Sequence, residues 1–480
     1  MSTSSQKWSR KSARRANGVR NAAFAAAATA LLAACGGGGG DASIGLPPAQ
    51  GPINWGAVQT LATNAGSVTP PAAVFGANGT ASVLWSQIGM PVTDLPSTVP
   101  LVGVSENTNG TAAFTAAESI DETQAFDAAD VITQLRAERS SFGSMAVWQR
   151  ERPAIGTRLV SAVREANGWG VLSIANLSSS VSAGELAFAA NDAGAQAAVW
   201  TEQQATGERL VMVSARSGAG GWSAKLPAQV NTSATGSQPA VAIDANGVAM
   251  IVWREQAQSG IALIRARSYD TNSPTPFGSA LPVDTGQASD GRNPRVAALG
   301  PGQFVVTWEQ RVLASAAFDL RAATGTAASW LPKPDPLELS AGTVDQSLVV
   351  AGPGATAYSV WRQNNAVFFA RFAAGQWSLA RQVSGTVASH TPRVAVDGNG
   401  NAIFVWLQTP AGGGPDDLFY ATFTASNGAI SGAFQLDAEA TGAAAAPSLS
   451  VAPNGAAVVA WLQSVANQTN PNVVARVFRP

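Results

Sequence analysis

The chain has 480 residues, of which 46% are hydrophobic and 12% charged, with 48 glycines, 27 prolines and a formal net charge of −1. That balance argues against long charged helices and for many short buried strands joined by tight turns. One cysteine excludes an internal disulfide and a thiolate metal site, and one histidine excludes a multi-histidine centre.

In chain order, the first 34 residues carry Lys7, Arg10, Lys11, Arg14, Arg15 and Arg20, no acid, and an apolar stretch from Ala22 to Ala34. A basic start followed by a short apolar run is the layout of an export signal, and about 13 apolar residues fall short of the roughly 20 that span a bilayer. The run ends in Leu32-Ala33-Ala34-Cys35, which resembles the bacterial lipobox. The resemblance implies cleavage before Cys35, a diacylglycerol on its sulfur and a third acyl chain on its amine. Two or more buried chains hold a protein stably at a membrane where one is marginal. Gly36 to Gly40 then form a flexible tether, and Gly36 directly after the cysteine resembles the outer-membrane sorting pattern. The expected location is the bacterial cell envelope, with the membrane itself as a partner through the lipid on Cys35. Six of the 29 basic groups leave with the signal, so 23 basic and 30 acidic groups remain, a net charge of about −7. Nucleic acid is thereby disfavoured as a partner, because its binding needs a positive surface.

Beyond residue 50 one segment recurs eight times: an alternating strand, a glycine turn, and a second strand ending in Trp and, two residues on, a long polar side chain. The clearest copies are 239–256, 392–408 and 447–463, and the others end at Trp85, Trp148, Trp200, Trp308 and Trp361. The seven intervals from Trp85 to Trp461 cover 376 residues, a period of about 54. Each unit divides further into a third strand, often with Arg (Arg164, Arg216, Arg267, Arg321, Arg371, Arg476), and a fourth opened by an aromatic (Phe114, Trp169, Trp222, Phe277, Trp330, Trp377, Phe434). The last unit stops after its third strand at 472–478, and its missing fourth strand is found near the other end, in Ile53 to Gln59 around Trp55. A linear stack would leave two open edges, whereas a ring shut by an N-terminal strand leaves none. The predicted fold is all-β: an eight-bladed β-propeller of four-stranded blades over 51–480, preceded by the signal (1–34) and the lipidated tether (35–50). Seven blades is the fallback count if Trp85 or Trp148 belongs to an irregular unit.

Little in the chain suggests catalysis. Asp397-Gly398-Asn399-Gly400-Asn401 opens like a calcium loop, but Gln408 stands where that loop needs a bidentate Glu, so no metal is expected, and no cofactor motif is present. A histidine-based triad would rest on His390 alone. The polar residues two past each core Trp (Gln87, Arg150, Glu202, Glu255, Gln310, Gln363, Gln408, Gln463) are expected to satisfy buried backbone groups between blades. Turns such as Gly220-Gly221-Trp222-Ser223 and Gly375-Gln376-Trp377-Ser378 resemble the Asp-box repeats of sialidase-like propellers, although Ala215 and Ser217 hold the places of the box's Ser and Asp. A lipid-anchored eight-bladed layout is also shared with the propeller lipoprotein of the outer-membrane β-barrel assembly machinery, a precedent for a scaffold role.

The connections from strand two to three vary in length, as in 86–96, 408–417 and 463–471 against 362–365, which marks their side of the ring as the binding face. Gln238, Arg292, Asn293, Gln346 and His390 enter first strands on that side and are the candidate ligand contacts. The expected function is a lipid-anchored envelope binding or scaffold protein that uses this face to bind a protein or glycan. The alternative is a glycan-active hydrolase of sialidase-like propeller type, using carboxylates such as Glu202 or Glu255.

Overall fold

The computed structural model describes residues 51–480 except 67–68, 91–98, 109–110, 112, 122–127, 141–142, 153–155, 179–181, 219, 258–259, 285–288, 313–315, 386 and 439–441. The signal segment, Cys35 and the glycine tether lie outside the described residues. The described residues form strands and no helix, and the strands sort into eight antiparallel sheets. Seven sheets are contiguous in sequence, at 72–119, 131–178, 182–227, 235–282, 289–332, 344–382 and 389–435, and pair their strands in chain order, save that in the sixth both Gln376–Trp377 and Arg381–Gln382 pair with Ala366–Ala373. These are blades one to seven of an eight-bladed β-propeller.

The eighth blade joins the chain's two ends. Ala444–Val451, Ala457–Gln463 and Asn472–Phe478 supply three strands, and Gln59–Ala62 supplies the fourth, pairing Thr60 with Val474. Sequence reasoning placed this closing strand at residues 53–59. The ladder begins later because the aromatic that opens a fourth strand packs inward before pairing starts: Trp55, Phe114 and Trp222 each stand four residues ahead of their strand. Trp55 is only 8% exposed, sits edge-on to Tyr420 and packs against Phe478, while the Gly56 N–H donates to Val477 O at 2.9 Å.

Around the ring the first strand of every blade contacts that of the next, and the first blade meets the eighth through Ala73 and Phe75 N–H groups that donate to Ser448 and Ser450 Oγ. The C-terminal Arg479 adds a latch, donating to Gly79 O and Asn107 O. The outer edge of Asn472–Phe478 is thus covered by a fourth strand, as in the other blades.

All eight repeat tryptophans are buried and pack between blades. A four-stranded blade cannot cover both of its own faces, so each Trp fills the wedge between neighbours. Burial leaves the indole N–H in need of a partner. In six blades the polar residue two positions on accepts it: Gln87, Glu202, Glu255, Gln310, Gln408 and Gln463. The expectation that these groups serve buried backbone atoms holds for Arg150, Gln363 and Gln463, which donate to Pro100 O of the preceding blade, Gly342 O and Gly442 O. In the second blade Arg150 instead pairs with Asp121 and Asp130, and the Trp148 indole is left without a partner among the described residues.

Three of the third-strand arginines tie their blade to the one before it, Arg164 by pairing with Glu106 at 2.9 Å. Arg267 donates to Gly278 O of its own blade and Ala228 O of the preceding one, and Arg476 does the same with Gly56 O and Leu436 O. A second repeated device sits just past the fourth strand, where a polar side chain accepts a third-strand N–H. Asp284 Oδ2 takes Ile264 N–H at 3.1 Å, Glu338 Oε2 takes Leu320 N–H at 2.9 Å, and Ser384 Oγ takes Val367 N–H at 2.9 Å.

Candidate functional site

The first strands line the central channel, and in seven of them the chain bulges opposite the core Trp. Ser237 pairs with Arg254 and Ala240 with Val252, so two residues face Trp253 alone, and the same slip recurs in blades two to eight. The first residue of each bulge is left-handed although none is glycine: Gln134, Glu185, Gln238, Asn293, Gln346, Thr391 and Ala446 have φ between 48° and 56°. Such a conformation costs an L residue about 1–3 kcal/mol and is retained where the surroundings over-determine it, often at ligand sites. A ring of strained residues at one level of the channel is therefore the first structural mark of a site.

Part of what holds the strain is a hydrogen-bonded rim. The Gln238 N–H donates to Glu185 Oε2 at 3.0 Å, the Asn293 N–H to Gln238 Oε1 at 2.8 Å, and the Thr391 N–H to Gln346 Oε1 at 2.6 Å. Each bond crosses from one blade to the next. With their oxygens so occupied, the Gln238 and Gln346 side chains keep their NH₂ groups as donors with no partner among the described residues.

Of the sequence-derived candidates, Gln238, Asn293 and Gln346 thus stand on the bulges at the rim, with Gln238 and Asn293 joined directly. Arg292 and His390 come one residue earlier and are engaged elsewhere. Arg292 donates to Glu309 at 2.8 Å and lies 3.5 Å over the Phe318 ring. Glu309, fully buried, also accepts from Asn293 Nδ2 and from Ser347 Oγ of the next blade. His390 shares its ring nitrogens between Thr391 Oγ1 at 3.0 Å and Asp416 Oδ2 at 3.1 Å, and Asp416 accepts in turn from Thr409 at 2.6 Å.

Two residues beyond the bulge, at one repeated place, stand three arginines that sequence reasoning did not single out: Arg136, Arg295 and Arg393. Their side-chain hydrogen bonds go to the carbonyls of Leu135, Pro294 and Pro392, and Arg136 adds Gln134 Oε1. None makes an ion pair among the described residues. All three are held below the ordinary guanidinium range, chiefly because protein surrounds them. The charge of Arg295 lowers Arg136 further, Arg295 and Arg136 lower Arg393, and Glu309 partly offsets the effect at Arg295. Two residues further along the second blade's first strand, burial raises Glu138 to about 7. Between blades two and five the channel wall opens into a cavity of about 500 Å³, lined among others by Gln134, Arg136, Glu185, Gln238, Asn293 and Arg295.

No protein-family profile matches the sequence, and no curated protein is significantly similar to it. Among solved structures, the β-propeller domain of the trilobed protease from Pyrococcus furiosus is 8% identical, covering 74% of this chain and 95% of its own, with a TM-score of 0.43. An α-L-arabinanase from Penicillium chrysogenum, complexed with arabinobiose, is 11% identical over 88% and 98% at a TM-score of 0.38. A Hadza microbial sialidase is 9% identical over 88% and 68% at 0.40. No conclusion about the site follows from likenesses this distant.

The carboxylates considered for hydrolysis are both engaged. Glu202 pairs with Lys225 at 2.8 Å and accepts the Trp200 indole, and Glu255 pairs with Arg265 at 3.1 Å and accepts that of Trp253. The Asp397 turn that begins like a calcium loop uses its carboxylate internally, accepting Asn399 N–H, Asn401 N–H and Asn401 Nδ2 at 2.8 Å each. A sequence signal for the channel arginines did exist: Pro-Arg-Val-Ala occurs at 294–297 and again at 392–395, in register with the repeat.

Proposed function

We propose that the chain is a non-catalytic, lipid-anchored binding or scaffold protein of the bacterial cell envelope. Cys35 carries the lipid, the glycine tether gives reach, and the channel mouth engages an envelope protein or a glycan. The observation that carries this reading is the strained, polar rim of Gln238, Asn293 and Gln346 on an otherwise rigid ring. Strain repeated around one opening, with amide donors left free, suits recognition better than packing.

Glycan hydrolysis is the competing reading, and it needs two available carboxylates roughly 5–10 Å apart across a cleft. Glu202 and Glu255, held by Lys225 and Arg265, do not supply them. Crosslinking in intact cells, followed by purification of the full-length protein, tests the binding reading. A specific envelope component captured by the native protein but lost from a Gln238→Ala/Gln346→Ala variant supports it. Identical recovery by both, or turnover on a glycoside panel, contradicts it. The anchor has its own test, since Cys35→Ser should abolish labelling by radioactive palmitate and release the protein from membranes.

A further inference from the structure

We propose that Arg136, Arg295 and Arg393 form a channel site for a small polyvalent oxyanion, either a free polycarboxylate or a sulfated or phosphorylated sugar, admitted past the rim of Gln238, Asn293 and Gln346. The proposal deepens the binding reading above and rests on it.

Three observations carry it. The arginines occupy the same repeat position in blades two, five and seven, so they converge on one level of the channel. Each guanidinium is bonded only to neutral acceptors, at most two, although it offers five N–H donors. Of the nearby acids, Glu309 pairs with Arg292 and Glu185 accepts the Gln238 N–H, while Glu138, raised to about 7, carries only part of a negative charge at neutral pH.

Like charges held at one level of a channel disfavour the folded state, and a fold that keeps them gains when an anion enters. The charge of Arg295 lowers the proton affinity of Arg136, and both lower that of Arg393, so the three lie within electrostatic reach of one another. Arginine rather than lysine suits a planar oxyanion, whose two oxygens meet the guanidinium fork. Free NH₂ donors on Gln238 and Gln346 extend the same polarity to the mouth. The cavity of about 500 Å³ is lined by Arg136 and Arg295, with Arg393 outside its lining, and holds a tricarboxylate or a monosaccharide, not a folded partner.

The full-length protein, purified in detergent, is titrated by calorimetry and thermal unfolding with citrate, glucose 6-phosphate, glucose 6-sulfate and glucose, at constant ionic strength. Saturable stabilisation by the anions and none by glucose is expected. A stronger citrate response assigns a free polycarboxylate, and a stronger sugar-anion response assigns an anionic sugar. Arg295→Gln should weaken binding by roughly tenfold to a hundredfold. In anion-free buffer the same variant should unfold at an equal or higher temperature, because a repelling charge is gone. Arg295→Lys keeps the charge and loses the fork, so it should fold normally and still bind about tenfold more weakly. An anion response unchanged in Arg295→Gln and Arg295→Lys overturns the proposal, as does no response to any anion. Envelope capture that survives such a failure leaves the wider binding reading in place.

Discussion

Two buried carboxyls should make the protein less stable above neutrality than below it. Asp284 is 4% exposed and Glu338 8%, and burial is the leading cause that pushes their pKa values up to about 6 and about 7. A carboxyl whose folded pKa is raised binds its proton more tightly in the folded state. Its stabilisation is therefore complete below the unfolded value near 4 and is lost as pH climbs through 6 to 7. At about 1.36 kcal/mol per pH unit, shifts of two units or a little more amount to about 3 kcal/mol for each group. Asp284→Asn and Glu338→Gln keep an oxygen to accept the Ile264 and Leu320 N–H groups while removing the charge. At pH 8 each variant should gain up to about 3 kcal/mol, which for a domain of this size is about 3 °C in Tm. At pH 4 the gain should vanish. Thermal unfolding followed by tryptophan fluorescence across pH 4 to 8 reads both ends. Equal shifts at the two ends, or a loss at pH 8, would refute the reasoning.

Other expectations are more local. Trp461→Ala opens the wedge between the last two blades and should destabilise by about 3–5 kcal/mol, measured by urea unfolding. Gln463→Leu orphans both the Trp461 indole and Gly442 O and should cost about 1–3 kcal/mol in the same assay. Glu309→Gln breaks the Arg292–Glu309 pair within blade five and weakens the bond from Ser347 of blade six, with an expected loss of about 3–5 kcal/mol. His390→Ala should change stability by under about 1 kcal/mol, because Asp416 keeps Thr409 and the histidine is partly exposed.

The ring was legible because its signal is redundant. Trp at one place in eight units, each preceded by a period-two strand and a turn, leaves little freedom in blade number. Hairpin chemistry was equally readable, since Gly400 and Gly455 take φ near +81° and +88°, where a side chain would strain the turn. The channel was not legible. A bulge residue in the left-handed region is normally flagged by glycine, and here Gln, Glu, Asn, Thr and Ala fill it, held in part by bonds from neighbouring blades that no local pattern reveals. Arg136, Arg295 and Arg393 were hidden for a related reason, as only three of eight blades carry them. Arg292 and His390 stood out for their chemistry, yet Glu309 and Asp416, each brought close only by the fold, claim them. The acceptors past the fourth strands escaped notice because Asp, Glu and Ser do the same work there.

Ring closure is the claim on which the channel, the rim and the site all depend. In a Cys35→Ser background, cysteines at positions 60 and 474 replace directly opposed residues of an antiparallel pair. Cα atoms in such pairs lie about 4.5–5.5 Å apart, within disulfide range. Mild oxidation followed by protease digestion and mass spectrometry should recover a peptide from the N-terminal strand bonded to one from the last strand, at full yield without reductant. Free thiols at both positions in folded protein would contradict the closed eight-bladed ring.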